Sequence, residues 1–168
     1  MKRIQKKVCL LGDFSVGKTS LIRRYVEGRF DDKYLTTVGV VVSRKTVEYP
    51  DLSLHMLIWD LAGGRDFSQS SSLVGVSGAL IVCDLTRPVT LSSYQAYADQ
   101  LRQFNPDVSL VLLANKQDLT NERAISEEQL MAMSQETGSP LLYTSAKTGT
   151  NVEEAFGLLA DMIIMPHL

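Results

Sequence analysis

The strongest chemical pattern in this chain is Gly12-Asp13-Phe14-Ser15-Val16-Gly17-Lys18-Thr19-Ser20. It fits G-x-x-x-x-G-K-[ST], a loop whose backbone N–H groups converge on phosphate oxygens. Gly12 and Gly17 can take backbone angles closed to other residues. Lys18 would place a full charge on the β- and γ-phosphates, and the Thr19 hydroxyl would hold Mg²⁺. The alternative is a glycine-bounded turn with a solvated lysine. Context decides against it. The apolar run Val8-Cys9-Leu10-Leu11 precedes the loop and reads as a buried strand. Leu21, Ile22, Tyr25 and Val26 follow at helical spacing, so the positive end of a helix dipole also faces the loop.

Three more polar motifs follow strand-like runs: Asp60-Leu61-Ala62-Gly63, Asn115-Lys116-Gln117-Asp118 and Ser145-Ala146-Lys147. Singly, the last is ordinary turn chemistry. Together they gain weight from where the elements put them. Val40 to Tyr49 is β-branched and strand-like, Pro50-Asp51 reads as a tight turn, and Leu54 to Trp59 completes an antiparallel hairpin. Gly78 to Asp84, Ser109 to Ala114 and Leu141 to Thr144 are short buried strands. Between them, Tyr94, Tyr97, Ala98, Leu101 and Phe104 line a helix that stops at Asn105-Pro106. Ser126 to Gln129 matches a capping box whose helix ends at Gly138, and Val152 to Ile163 forms an amphipathic final helix. Gly28 to Gly39 is polar and aperiodic and reads as a mobile loop.

Helices and strands alternating after one hairpin predict an α/β fold of the P-loop NTPase type. The sheet has six strands, mostly parallel with one antiparallel edge strand, and helices on both faces. Ligands in such sheets bind beyond the strand C-terminal ends, where all four motifs fall. No repeat or linker breaks residues 1–168, which read as one domain.

Of the 168 residues, 45% are hydrophobic and 21% charged, as in a globular domain, and the net charge of −2 gives no field for nucleic acid. Cys9 and Cys83 sit in apolar runs, as buried thiols of a reducing compartment do. No apolar run approaches the roughly 18 residues of a membrane span. Lys2 to Lys7 is basic and reads as a solvated terminus; a membrane-surface patch is the alternative.

The four motifs in order resemble those of a Ras-superfamily small GTPase, closest to the Rab branch, over about Lys7 to Ile164. The resemblance implies GTP/GDP and Mg²⁺ as ligands. Asp13 to Ser20 (with Phe14, Ser15, Val16, Gly17, Lys18 and Thr19) would hold the phosphates, and Asn115, Lys116, Asp118, Leu119, Ser145, Ala146 and Lys147 the base. Asp118 suits guanine chemically. Its carboxylate accepts from guanine N1–H and the 2-amino group, whereas adenine would leave it unpaired. Asp60 would face Mg²⁺ through water. Thr37 matches the switch threonine that joins Mg²⁺, Gly63 the N–H offered to the γ-phosphate, Phe30 the aromatic on guanine, and Tyr34 the one closing over the phosphates. Lys18, Thr37 and Gly63 form the implied catalytic set. Effectors and exchange or activating factors would read residues 30–49 and 59–75. There Trp59 is either core or contact.

Three departures stand out. The family's W-D-T-A-G-Q-E is here Trp59-Asp60-Leu61-Ala62-Gly63-Gly64-Arg65, so Gly64 replaces the glutamine that orients the attacking water. Slow hydrolysis follows, with missing groups supplied by a partner, or in cis by Arg65 or Gln69. Phe14 stands where small residues are usual. The chain stops at Met165-Pro166-His167-Leu168 without a prenylatable cysteine, so it is either truncated or not anchored by that end. The expectation is a cytoplasmic monomer that switches on GTP; a nucleotide-holding pseudo-GTPase scaffold is the alternative, and an ATP-dependent kinase a remoter one.

Overall fold

The computed structural model describes residues 1–26, 33–35, 40–61 and 70–168, with residues 33–35 and 70 described by their backbone alone. Seven strands make one sheet: β1 (Lys2–Leu11), β2 (Lys33–Leu35), β3 (Val41–Tyr49), β4 (Leu52–Asp60), β5 (Val76–Asp84), β6 (Ser109–Asn115) and β7 (Leu141–Tyr143). Their order is β2-β3-β4-β1-β5-β6-β7. The body β4-β1-β5-β6-β7 is parallel, and β3 runs antiparallel to both β4 and β2.

All six expected strands are present. The seventh, β2, falls inside the stretch read as a loop and pairs with Val41–Ser43 of β3. Three residues within a polar stretch are too few to show an alternating pattern, and only the neighbouring strand makes them one. β1 likewise starts at Lys2 rather than Val8, pairing with β4 from Lys2↔Leu52 onward. Its cationic side chains hide a strand that is held by pairing with β4 and by Ile4 packed on the first core.

The helices α1 (Lys18–Tyr25), α2 (Val89–Ser92), α3 (Tyr94–Phe104), α4 (Glu127–Thr137) and α5 (Val152–Ile164) flank the sheet. Strand side chains alternate between two cores. Val8 and Leu10 of β1, with Leu80 and Val82 of β5, meet α1 and α5. Cys9 and Leu11, with Ala79, Ile81 and Cys83, meet Tyr94, Tyr97, Ala98 and Leu101 of α3. This two-sided burial explains why the central strands read as unbroken apolar runs. Both cysteines are buried and free, and burial pushes each thiol up to about 12, which suits packing rather than reactivity.

Local signals hold where expected. Ser126 caps α4, accepting from the Gln129 N–H while the Gln129 side chain accepts from the Ser126 N–H, and Gly138 ends the helix at φ 66°. Leu61, unusual beside its aspartate, is buried in the second core.

The Phe156 ring lies flat on Tyr25, with ring centroids 4.0 Å apart and an interplanar angle of 3°, tying α5 to the helix that follows the phosphate loop. Phe156→Ala should cost about 3–5 kcal/mol in urea unfolding. The conservative Phe156→Leu should cost clearly less.

Candidate nucleotide-binding site

The loop from Gly12 to Gly17 leaves the C-terminal end of β1 and enters α1. Gly17 sits at φ 106°, and a Cβ there would lie 2.4 Å from Asn115 Nδ2. Gly12 is equally constrained, since its Cβ would meet Val82 O at 2.4 Å. The glycines are therefore required twice, by conformation and by close approach. Ser15 and Lys116 take the left-handed region without being glycine, at φ 63° and 69°. Such strain of order 1 kcal/mol or more persists where surrounding contacts over-determine it.

Those contacts are visible. Lys18 is only 8% exposed, and its Nζ donates to Gly12 O at 3.0 Å and Asp13 O at 3.1 Å. Burial lowers the Lys18 ammonium below its ordinary value, while the Asp60 and Asp13 carboxylates oppose the change. Asn115 is buried; its Nδ2 donates to Val16 O at 2.9 Å, and its Oδ1 accepts from Thr144 Oγ1 at 3.1 Å. Lys116 Nζ donates to Ser15 O at 3.1 Å and pairs with Asp84 at 2.8 Å. Thr19 Oγ1 donates to Asp60 Oδ2 at 2.5 Å, so the hydroxyl and carboxylate expected at Mg²⁺ lie side by side.

Two clefts result. The first, about 510 Å³, is lined by Phe14, Ser15, Gly17–Ser20, Asp60, Leu61 and Lys116. The second, about 440 Å³, is lined by Gly17, Ser20, Asn115, Lys116, Asp118, Leu119, Ala146 and Lys147. They share Gly17, Ser20 and Lys116. Ser145 sits behind the second cleft and donates from Oγ to Asp118 Oδ1 at 2.7 Å, setting the carboxylate's orientation.

Two expected residues turn elsewhere. The Asp13 carboxylate accepts from Ser93 Oγ and Tyr97 Oη, both at 2.8 Å, so its side chain serves α3 rather than the phosphate cleft. The Val16 side chain is fully buried in the first core, leaving its backbone to the loop. Phe30, Thr37, Gly63, Gly64, Arg65 and Gln69 lie outside the described residues, as does the side chain of Tyr34. Trp59 is half-buried against the second core, with Lys7 Nζ 3.7 Å from its ring centroid.

Sequence reading missed Asp84, Arg87, Ser93 and Thr144. Asp84 was legible in principle, because it ends a buried strand at the same sheet edge as the motifs. Burial raises the Asp84 carboxyl, but Lys116 and the hydroxyl and N–H of Thr86 together hold it below its ordinary 3.8.

A phosphate-type loop and a base-type cleft at one edge of a parallel sheet define the P-loop NTPase class. The Ras family model matches residues 7–165, and the chain belongs to that family. Among curated proteins it is similar to Ras-related protein Rab-27A of Homo sapiens, 34% identical over 94% of this chain and 78% of that protein. It is also similar to Ras-related protein RABD2b of Arabidopsis thaliana (35% identical, covering 89% and 76%) and to GTP-binding protein YPTM1 of Zea mays (37% identical, covering 89% and 74%). It is thus a Rab-like small GTPase of a family that binds GTP, GDP and Mg²⁺. No helix among the described residues is long and apolar enough to cross a membrane.

Asp84 binds fewer protons folded than unfolded between its depressed and ordinary values. Its ionised pairing therefore adds stability above the ordinary value and loses it as acid takes the pH through the folded one. Asp84→Asn should lower stability at neutral pH by roughly 1–3 kcal/mol and flatten the acid limb of stability against pH. Denaturant midpoints across an acid series measure both effects.

Proposed function

We propose that residues 1–168 form one G domain that binds GTP and GDP with Mg²⁺, switches two loops on the γ-phosphate, and hydrolyses GTP slowly. The observation that carries this is the pair of clefts sharing Gly17, Ser20 and Lys116. One holds a buried ammonium and a hydroxyl–carboxylate pair; the other holds an oriented carboxylate.

In this reading, Asp118 accepts from guanine N1–H and the 2-amino group, with Ala146 N–H toward the guanine oxygen and Lys116 and Lys147 over the base faces. Leu119 lines the base cleft, and Phe30 packs on the base. Backbone N–H groups from Asp13 to Ser20 and the Lys18 ammonium hold the phosphates. Thr19, Thr37 and Asp60 would hold Mg²⁺, directly or through water, and oxygen donors of this kind suit that cation. Bound there, Mg²⁺ would neutralise phosphate oxygens. Hydrolysis joins a water oxygen to the γ-phosphorus and breaks its bond to the β-phosphate oxygen, releasing GDP and phosphate. Lys18, Thr37 and the Gly63 N–H stabilise the charge that moves. Tyr34 closes over the site.

Gly64 supplies no side chain to orient that water, so turnover is slow. The Phe14 ring, 76% exposed on the rim of the phosphate cleft, stands where a partner's arginine would enter, which favours the second reading of a nucleotide-holding scaffold. Effectors and regulators read residues 30–49 and 59–75, with half-buried Trp59 among them. The protein acts as a cytoplasmic monomer in this reading.

In single-turnover assays with Mg²⁺, Gly64→Gln should hydrolyse GTP at least about tenfold faster than wild type. Equal rates overturn the role given to Gly64. Wild type should prefer GDP over ADP by roughly 10⁴-fold or more, and Asp118→Ala should erase most of that preference. Competition binding measures this.

A further inference from the structure

Successive carbonyls of the phosphate loop are each gripped by a donor. Lys18 takes Gly12 O and Asp13 O. Lys116 takes Ser15 O, and Asn115 takes Val16 O. The remaining carbonyl, Phe14 O, is taken by a residue that belongs to none of the four motifs. Arg87, between β5 and α2, brings Nη1 and Nη2 to it at 2.9 Å each. Arg87 is not among the described residues lining the phosphate cleft, whereas Phe14 and Ser15 are. The guanidinium therefore grips the loop from its outer side.

We propose that Arg87 is a positioning residue for the phosphate chain: by holding the Phe14 carbonyl outward, it turns the Ser15 N–H into the cleft as a donor to phosphate. This inference rests on the guanine-nucleotide reading above. A peptide unit is planar, and the described residues contain no cis bond, so carbonyl and N–H point to opposite sides. Holding one outward aims the other inward. The grip matters most here because Ser15 sits at φ 63°, which a serine adopts only at a cost. If the Phe14–Ser15 peptide turned over, a carbonyl oxygen would face the phosphate anion in place of a donor. Hydrogen bonds from a cation are about twice as strong as neutral ones, and they polarise the peptide they hold.

Arg87 is itself placed by tertiary structure. Its backbone N–H donates to Asp84 O at 2.9 Å, and its Nη1 lies 3.9 Å from Asp84 Oδ2. That same carboxylate pairs with Lys116 at 2.8 Å. One buried anion thus stands between two cations that hold adjacent carbonyls, Phe14 O and Ser15 O.

The test compares wild type, Arg87→Ala and Arg87→Lys in release of a fluorescent GDP analogue into excess GDP. Arg87→Ala should release it roughly tenfold faster, the loss of one charge-assisted hydrogen bond. Arg87→Lys should fall between, since an ammonium keeps the charge but cannot fork. Millimolar methylguanidinium should slow release from Arg87→Ala and leave wild type unchanged. The β-phosphate ³¹P resonance of bound GDP should move in Arg87→Ala, while the melting point of nucleotide-free protein stays where it was. Unchanged release from Arg87→Ala overturns this inference alone. Faster release that methylguanidinium does not restore, together with a lower nucleotide-free melting point, also overturns it, because the role of Arg87 is then merely structural. If wild type holds no GDP, the guanine-nucleotide reading falls and this inference with it.

Discussion

The buried amide of Asn115 is the joint on which the site depends. At 2% exposure it cannot turn to water, so each of its polar atoms must be met inside the protein. Nδ2 finds Val16 O in the phosphate loop, and Oδ1 finds the Thr144 hydroxyl just past β7. Three strand ends, β1, β6 and β7, are thereby fixed to one side chain. The geometry is tight enough that Gly17 can carry no Cβ. A phosphate-type loop and a base-type cleft that are remote in sequence become one rigid object because neither can satisfy its polar groups alone.

Around this joint the charges are arranged rather than merely present. Asp84 is a fully buried carboxylate, costly unless paired, and Lys116 pairs with it while also reaching Ser15 O. Ser15 and Lys116, both left-handed, are thus bonded to each other, so strain in the loop and strain in the base motif support one another. Asp13 extends the same logic outward, clamped by the hydroxyls of Ser93 and Tyr97. The two cores on either face of the sheet hold these parts in place, with Phe156 of α5 on Tyr25 of α1 in one and Tyr97 of α3 packed in the other.

The chain belongs to the Ras family, and its own residues show where it departs from the family pattern. Leu61 is absorbed by the second core, so that departure is a packing change. Phe14 is not absorbed; its ring stays exposed on the cleft rim. Leu61 also lines the phosphate cleft, so the first departure puts a buried apolar side chain in its wall, while the second sets an exposed ring on its rim.

The sequence alone determined the kind of sheet, six of its seven strands, the capping of α4 and the four motifs, because each of these is carried by a local pattern. A glycine pattern, a period-2 or 3.6 repeat and a capping box act within a few residues. It did not reveal β2 or the first half of β1, since three residues within a polar stretch or a cationic run become strand only by pairing with a neighbour. Nor did it reveal that Asp13 faces α3, that Asp84 balances Lys116 and Arg87, or that Arg87 holds the phosphate loop across 73 residues of chain. Those facts depend on which polar groups burial leaves without water and which distant side chain then stands within hydrogen-bond reach. Only the packed tertiary structure decides that.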